Sequence, residues 1–197
     1  GLPGDTAPFP FHDLLPAGRM SRRSPARTGA VAVLLFFLSL SACLGFINAY
    51  PLPGLISDDI GYMALARSVA HGTGFSEDGG VTPAVFRPPL FSIMLGGWFR
   101  ATGTSSILSA ALFQSLLHAF GVVAAFGLFL AILPSLAWAF GGALFLAVNP
   151  LLVTRVVLVL QEPTVLLFTV LAAWATVRLV KEPSTRRAAL AGAAWGL

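Results

Sequence analysis

The run Gly29–Tyr50, GAVAVLLFFLSLSACLGFINAY, carries no charged residue and is long enough to cross a bilayer, for which about 20 apolar residues suffice. It decides the fold class. Of the 197 residues, 56% are hydrophobic and 10% charged, with a mean hydropathy of +0.84. Soluble domains carry about 25% charged residues. The expected fold is all-α: a polytopic transmembrane helical bundle.

The flanks of that run give a direction. Arg19, Arg22, Arg23 and Arg27 precede it. Cations beside a span mark its cytoplasmic end, so the N-terminus is expected in the cytoplasm. A cleaved signal peptide is the rival reading. It fits less well, because the apolar run is long and Ser39–Cys43 is only a loose small-residue site. Arg178, Lys181, Arg186 and Arg187 follow a later apolar run in the same manner. The net charge of +4 is thereby a topology signal, and no nucleic-acid partner is expected. Cys43 is the only cysteine, which excludes an intrachain disulfide.

Residues 1–27 read as a leader and a basic cytoplasmic end, with Met20 as a natural start and prolines at 3, 8, 10 and 16. Residues 28–197 read as the N-terminal part of a transmembrane domain. Spans are expected over about 29–50, 107–133, 136–153 and 164–180, with an incomplete one at 187–197. A chain that stops inside an apolar run is expected to be a fragment, inactive alone.

Between the first two spans lies a segment with two amphipathic stretches, each too short to cross. In SDDIGYMALARSVAHG, residues 57–72, Ser57 or Asp58 can cap a helix that Gly72 ends. Tyr62, Leu65, Ala66 and Val69 share its apolar face. RPPLFSIMLGGWFR, residues 87–100, begins with prolines suited to a first turn. Both are expected as interfacial helices in the first outer loop.

Asp58, Asp59, Arg67, His71, Glu77, Asp78, Arg87, Arg100, Arg155 and Glu162 all fall on the outer side, while Gln114 and His118 lie within a span. A carboxylate at the boundary caps a helix, takes a proton from a hydroxyl, or helps hold a divalent cation. Arg87, extended before two prolines, suits an anionic phosphate. Glu77 and Asp78 read as a solvated loop tip, and His118 as an interhelical hydrogen-bonder. Arg155 and Glu162 share a face two turns apart if the chain between them is helical, about 10 Å, too far for direct pairing by backbone spacing alone, though their long side chains narrow the gap.

The order of parts resembles the membrane-embedded glycosyltransferases of the GT-C fold. It is most similar to the branch of protein O-mannosyltransferases, lipid A aminoarabinose transferases and bacterial Rgt-like transferases. The resemblance rests on the Asp58-Asp59 pair opening ALARSVAHGTGF, the Arg87-Pro88-Pro89-Leu90 block, and an acidic residue in the second outer loop. It implies transfer of a sugar from a polyprenyl-phosphate carrier to a lipid, glycan or protein acceptor, by an enzyme of the inner membrane. By that resemblance Asp58 is the catalytic carboxylate and Glu162 its assistant. Asp59, Arg87 and Arg155 bind substrate, Arg87 meeting the carrier phosphate. A divalent cation, held by Asp58 or Asp59, is left open. Two positions depart from the aminoarabinose branch, whose first motif tends to read Asp-Glu-Ala-Arg-Tyr. Here it is Asp58-Asp59-Ile60-Gly61-Tyr62, without that arginine, and Phe86 stands where that branch has an acid. A transporter or channel subunit is the alternative; it would want polar or broken helices at mid-membrane.

Overall fold

The computed structural model describes residues 24–52, 54, 55 and 58–196. The expected leader, the start at Met20 and the Ser57 cap lie outside these residues. Among the described residues the chain is all-α: α1 (Pro25–Ala49), α2 (Asp58–His71), α3 (Pro89–Thr102), α4 (Ile107–Ile132), α5 (Leu136–Val148), α6 (Pro150–Arg155), α7 (Glu162–Lys181) and α8 (Thr185–Trp195). α1, α4 and α7 are long and apolar enough to cross a membrane. The chain is a membrane protein.

α4 is the axis of the bundle. It packs against α1, α5 and α7. Half of its apolar window is buried in protein, against 17% for α1 and α7, which turn most of their surface outward. Its buried face is rich in small residues, among them Ala110, Ala111, Ser115, Ala119 and Ala125, which let neighbouring helices approach closely. Ser106 caps its start, accepting a hydrogen bond from the Ser109 amide at 3.1 Å.

The expected span over 136–153 is two helices. Pro150 disfavours helical backbone at Asn149, which sits at φ −62°, ψ 118°. Asn149 then caps α6, its Oδ1 accepting from the Leu151 amide at 2.9 Å. α5 alone has 13 residues, about 20 Å, short of the ~30 Å hydrocarbon core. His118, buried in α4, lies against the end of α5 near Ala147, and its Nε2 has no hydrogen-bond partner among the described residues.

α2 and α3 pack on each other and on the first half of α4. Tyr62, Met63, Phe91, Leu95 and Phe99 meet Phe113 and Leu117 of α4. A Cβ on Gly96 would come within 2.8 Å of the Ala66 carbonyl oxygen and 2.7 Å of Val69, so the contact requires glycine. α2 ends as expected: Gly72 takes φ 76°, and the Gly72 and Thr73 amides close a Schellman motif on Val69 and Ser68. α2 buries more than one stripe, Met63 as well as Tyr62, Leu65 and Ala66, because α3 covers it.

One end of the bundle gathers the last turns of α1, the first turns of α4 and α7, and the α2–α3 pair. The other end holds Arg178, Lys181, Arg186 and Arg187, with Lys181 donating to the Ala131 carbonyl at the end of α4.

Candidate functional site

The site lies at the first of these ends, beside Arg87, which does not itself line the groove but ties its Asp58 wall to the loop after α2. Arg87 Nη1 donates to Asp58 Oδ1 at 3.0 Å and its Nε to Glu77 Oε1 at 3.0 Å. The guanidinium also lies 5.1 Å from the centroid of the Tyr62 ring. The side chain crosses α2 at Gly61, where a Cβ would fall 2.3 Å from Arg87 Nε. Exposed ion pairs contribute about 0–1 kcal/mol each, so two of them on one guanidinium fix a geometry more than they hold the fold. The Asp58 hydrogen bond raises the Arg87 pKa beyond its ordinary value.

Asp58 is two-thirds exposed and lines an open groove of about 630 Å³. Tyr62, Leu160, Gln161, Glu162, Val165 and Thr169 share that wall. The groove brings together the two carboxylates expected to be catalytic, from α2 and α7, with Tyr62 on the same wall. Burial pushes the Tyr62 phenol above its ordinary value; Arg87 opposes this, and the Asp58 charge adds to it. The phenol is therefore a neutral donor at physiological pH.

Glu162 opens α7, followed by Pro163. Its Oε1 is 3.9 Å from Arg155 Nη1, at the limit of an ion pair, and its Oε2 is buried without a hydrogen-bond partner. The spacing expected from a helical connection does not hold. α6 ends at Arg155 and residues 156–161 fold back as an irregular turn, which closes the distance. Gln114 of α4 fixes this turn. Its Nε2 donates to the Val156 and Leu158 carbonyls at 3.1 and 2.8 Å, and its Oε1 accepts from the Leu160 amide at 3.3 Å. A fully buried amide thus satisfies three backbone groups of the segment that delivers Glu162.

Asp59 turns inward and is 6% exposed; its Oδ1 accepts from the Ile60 amide at 2.9 Å. It is not part of the groove wall among the described residues. The loop after α2 is solvated at Glu77 and Asp78, as expected, and is held by hydrogen bonds as well. Asp78 Oδ1 accepts from the Val81 and Thr82 amides at 3.0 and 2.9 Å and from the Ser76 hydroxyl. The Ser76 hydrogen bond, then the Thr82 amide, holds the Asp78 carboxyl well below the usual carboxylate range. This web shapes the loop that carries Glu77 to Arg87.

The donor set does not fit a divalent cation. Asp58 is turned to Arg87, Asp59 is buried in the first turn of α2, and among the described residues no three His, Cys, Asp or Glu side chains converge.

A second, smaller cavity of about 320 Å³ adjoins the groove, sharing Gln161, Val165 and Thr169. It continues along α7 between α3 and α8, walled by Phe91, Phe168, Ala172 and Trp195. Fold and site together define a helical membrane protein with an ionic groove at one end of its bundle. No protein-family model matches the chain, and neither a curated protein nor a solved structure matches it.

Proposed function

We propose that the protein is an integral-membrane glycosyltransferase. It moves a sugar from a polyprenyl-phosphate carrier to an acceptor hydroxyl on the outer face of the inner membrane, with its N-terminus in the cytoplasm. The observation that supports this best is the convergence of Asp58 and Glu162 on one groove with Arg87 beside it. In this reading Asp58 takes the acceptor proton as the acceptor oxygen bonds to the anomeric carbon. The carbon–oxygen bond to the carrier breaks, and its electron pair leaves on the phosphate. Arg87 exchanges Asp58 for that phosphate, which frees the carboxylate for the acceptor. The Glu162 carboxylate accepts a hydroxyl of sugar or acceptor, and Arg155 holds it in place. Asp59, being buried, sets the first turn of α2. The apolar cavity along α7 suits a prenyl tail. One displacement with one base inverts the anomeric centre.

The departure from the aminoarabinose pattern acquires a physical sense. The arginine missing at position 61 leaves a bare glycine, and the Arg87 guanidinium occupies that space. The transporter alternative has less support: Gln114 is spent on backbone groups, and neither it nor His118 lines any of the described cavities.

The test uses the full-length protein in membranes with a panel of polyprenyl-phosphate-linked labelled sugars. The reading expects transfer to an endogenous or added acceptor with an inverted anomeric bond. No transfer from any donor by folded protein, or retention at the anomeric carbon, contradicts it.

A further inference from the structure

The opposite end of the bundle holds a larger cleft, of about 700 Å³, between the second half of α7 and α8. Its mouth is cationic: Arg178, Arg186 and Arg187 line it with Ser184. Its inner wall is apolar, formed by Trp174 and Leu171 on α7 and Leu190 on α8. Trp174 lies two turns before the end of α7, about 10 Å deeper, and Leu171 deeper still. The cleft is thus graded from charge at its mouth to hydrocarbon inside. Arg178 lies over the Trp174 ring at 4.6 Å from the centroid, held at the junction of the two regions. Arg187 is paired with Glu182, while Arg186 makes no ion pair or hydrogen bond among the described residues. Trp195 Nε1 donates to Thr176 Oγ1 at 3.0 Å and holds the end of α8 against α7.

We propose that this cleft binds an anionic phospholipid of the leaflet at that end, its phosphate on the arginines and one acyl chain along Trp174 and Leu171. Arginine matches phosphate oxygens bidentately, and basic pockets between membrane helices suit anionic headgroups. A free phosphate would use the mouth alone and leave the apolar wall without a partner, so a lipid is the occupant that complements the whole cleft. This site is separate from the groove at Asp58, and it stands whether or not the protein transfers sugar.

The test is native mass spectrometry of the full-length protein in neutral detergent, titrated with phosphatidylglycerol and, separately, phosphatidylcholine. Wild type is expected to retain phosphatidylglycerol at least tenfold more tightly. The triple variant R178Q/R186Q/R187Q is expected to lose that preference, and the single variant R186Q, at an exposed side chain, to lose part of it with an unchanged melting temperature. Lys181→Gln removes a cation from the same helix end but outside the cleft, and is expected to keep the preference. Trp174→Ala is expected to weaken retention without abolishing the preference for the anionic lipid. Equal binding of the two lipids by wild type would overturn the proposal. So would an undiminished preference in both arginine variants, or a loss in Lys181→Gln as large as in R186Q. Full displacement of the lipid by inorganic phosphate would also overturn it, because the mouth alone would then carry the binding.

Discussion

At the scale of single residues, Gly61 separates function from stability. Alanine is the better helix former by about 1 kcal/mol, so Gly61→Ala favours α2 itself. Its Cβ, however, falls where the Arg87 guanidinium lies. The expected outcome is a melting temperature within a few degrees of wild type and at least a tenfold loss of transfer. Undiminished transfer by Gly61→Ala would show that the Arg87 guanidinium need not lie over α2 at this position. Asp78 gives a pH test. Its carboxyl titrates below the ordinary value of 3.8, so its contribution to the loop is complete above that value and is lost as pH falls through the folded value. The Val81 and Thr82 amide resonances should hold their positions from pH 7 to pH 4 and move only in stronger acid; a midpoint above pH 4 would contradict this. Asp58, Arg87 and Glu162 were legible in the sequence as charges stranded near membrane spans. Glu77 was not, because its pairing depends on a loop shape that Ser76 and Asp78 set through backbone hydrogen bonds. The place of Gly61 was not legible either, since what fills it arrives from another segment.

At the scale of elements, the turn before α7 is the part most open to test. Gln114→Leu keeps the approximate volume but leaves the Val156 and Leu158 carbonyls and the Leu160 amide without their partner. Each buried unpaired group costs about 1–3 kcal/mol, so a loss of roughly 2–5 kcal/mol is expected, measured by chemical unfolding in detergent. Transfer should fall with it, because the turn delivers Glu162. A change under about 0.5 kcal/mol would show that Gln114 fixes nothing. Phe91→Ala tests the α2–α3 pair in the same way, with a loss of about 3–5 kcal/mol for a buried ring. Helix existence and type read well from the apolar runs, since length and hydropathy decide them. The broken 136–153 helix was written in Asn149-Pro150, a cap followed by a residue that suits a first turn. Apolar residues flank that dipeptide on both sides, Ala147-Val148 before it and Leu151-Leu152 after it, so a reading by apolar runs merges the two helices. The Arg155–Glu162 approach was hidden for a related reason: an irregular turn has no spacing rule.

At the scale of the whole molecule, two chemically different ends emerge from one bundle. Asp58, Asp59, Glu77, Asp78 and Glu162 collect at one end with Arg87 and Arg155 among them, while Arg178, Lys181, Arg186 and Arg187 gather at the other with Glu182. The sequence predicted that sorting from charge beside spans alone. What it did not show is that the end with the ionic groove is built by three separate segments meeting on α4: the α2–α3 pair, the 156–161 turn and the start of α7. The central claim is that this end removes a proton from an acceptor hydroxyl through Asp58. The most direct measurement is the rate of labelled-sugar transfer from polyprenyl phosphate in membranes, by full-length wild type and Asp58→Asn at matched protein levels. Asparagine keeps the shape and a hydrogen bond to Arg87 but cannot take a proton. The account predicts a fall of about 10²–10⁴-fold, the usual contribution of a general base. Transfer at the wild-type rate by Asp58→Asn would contradict it.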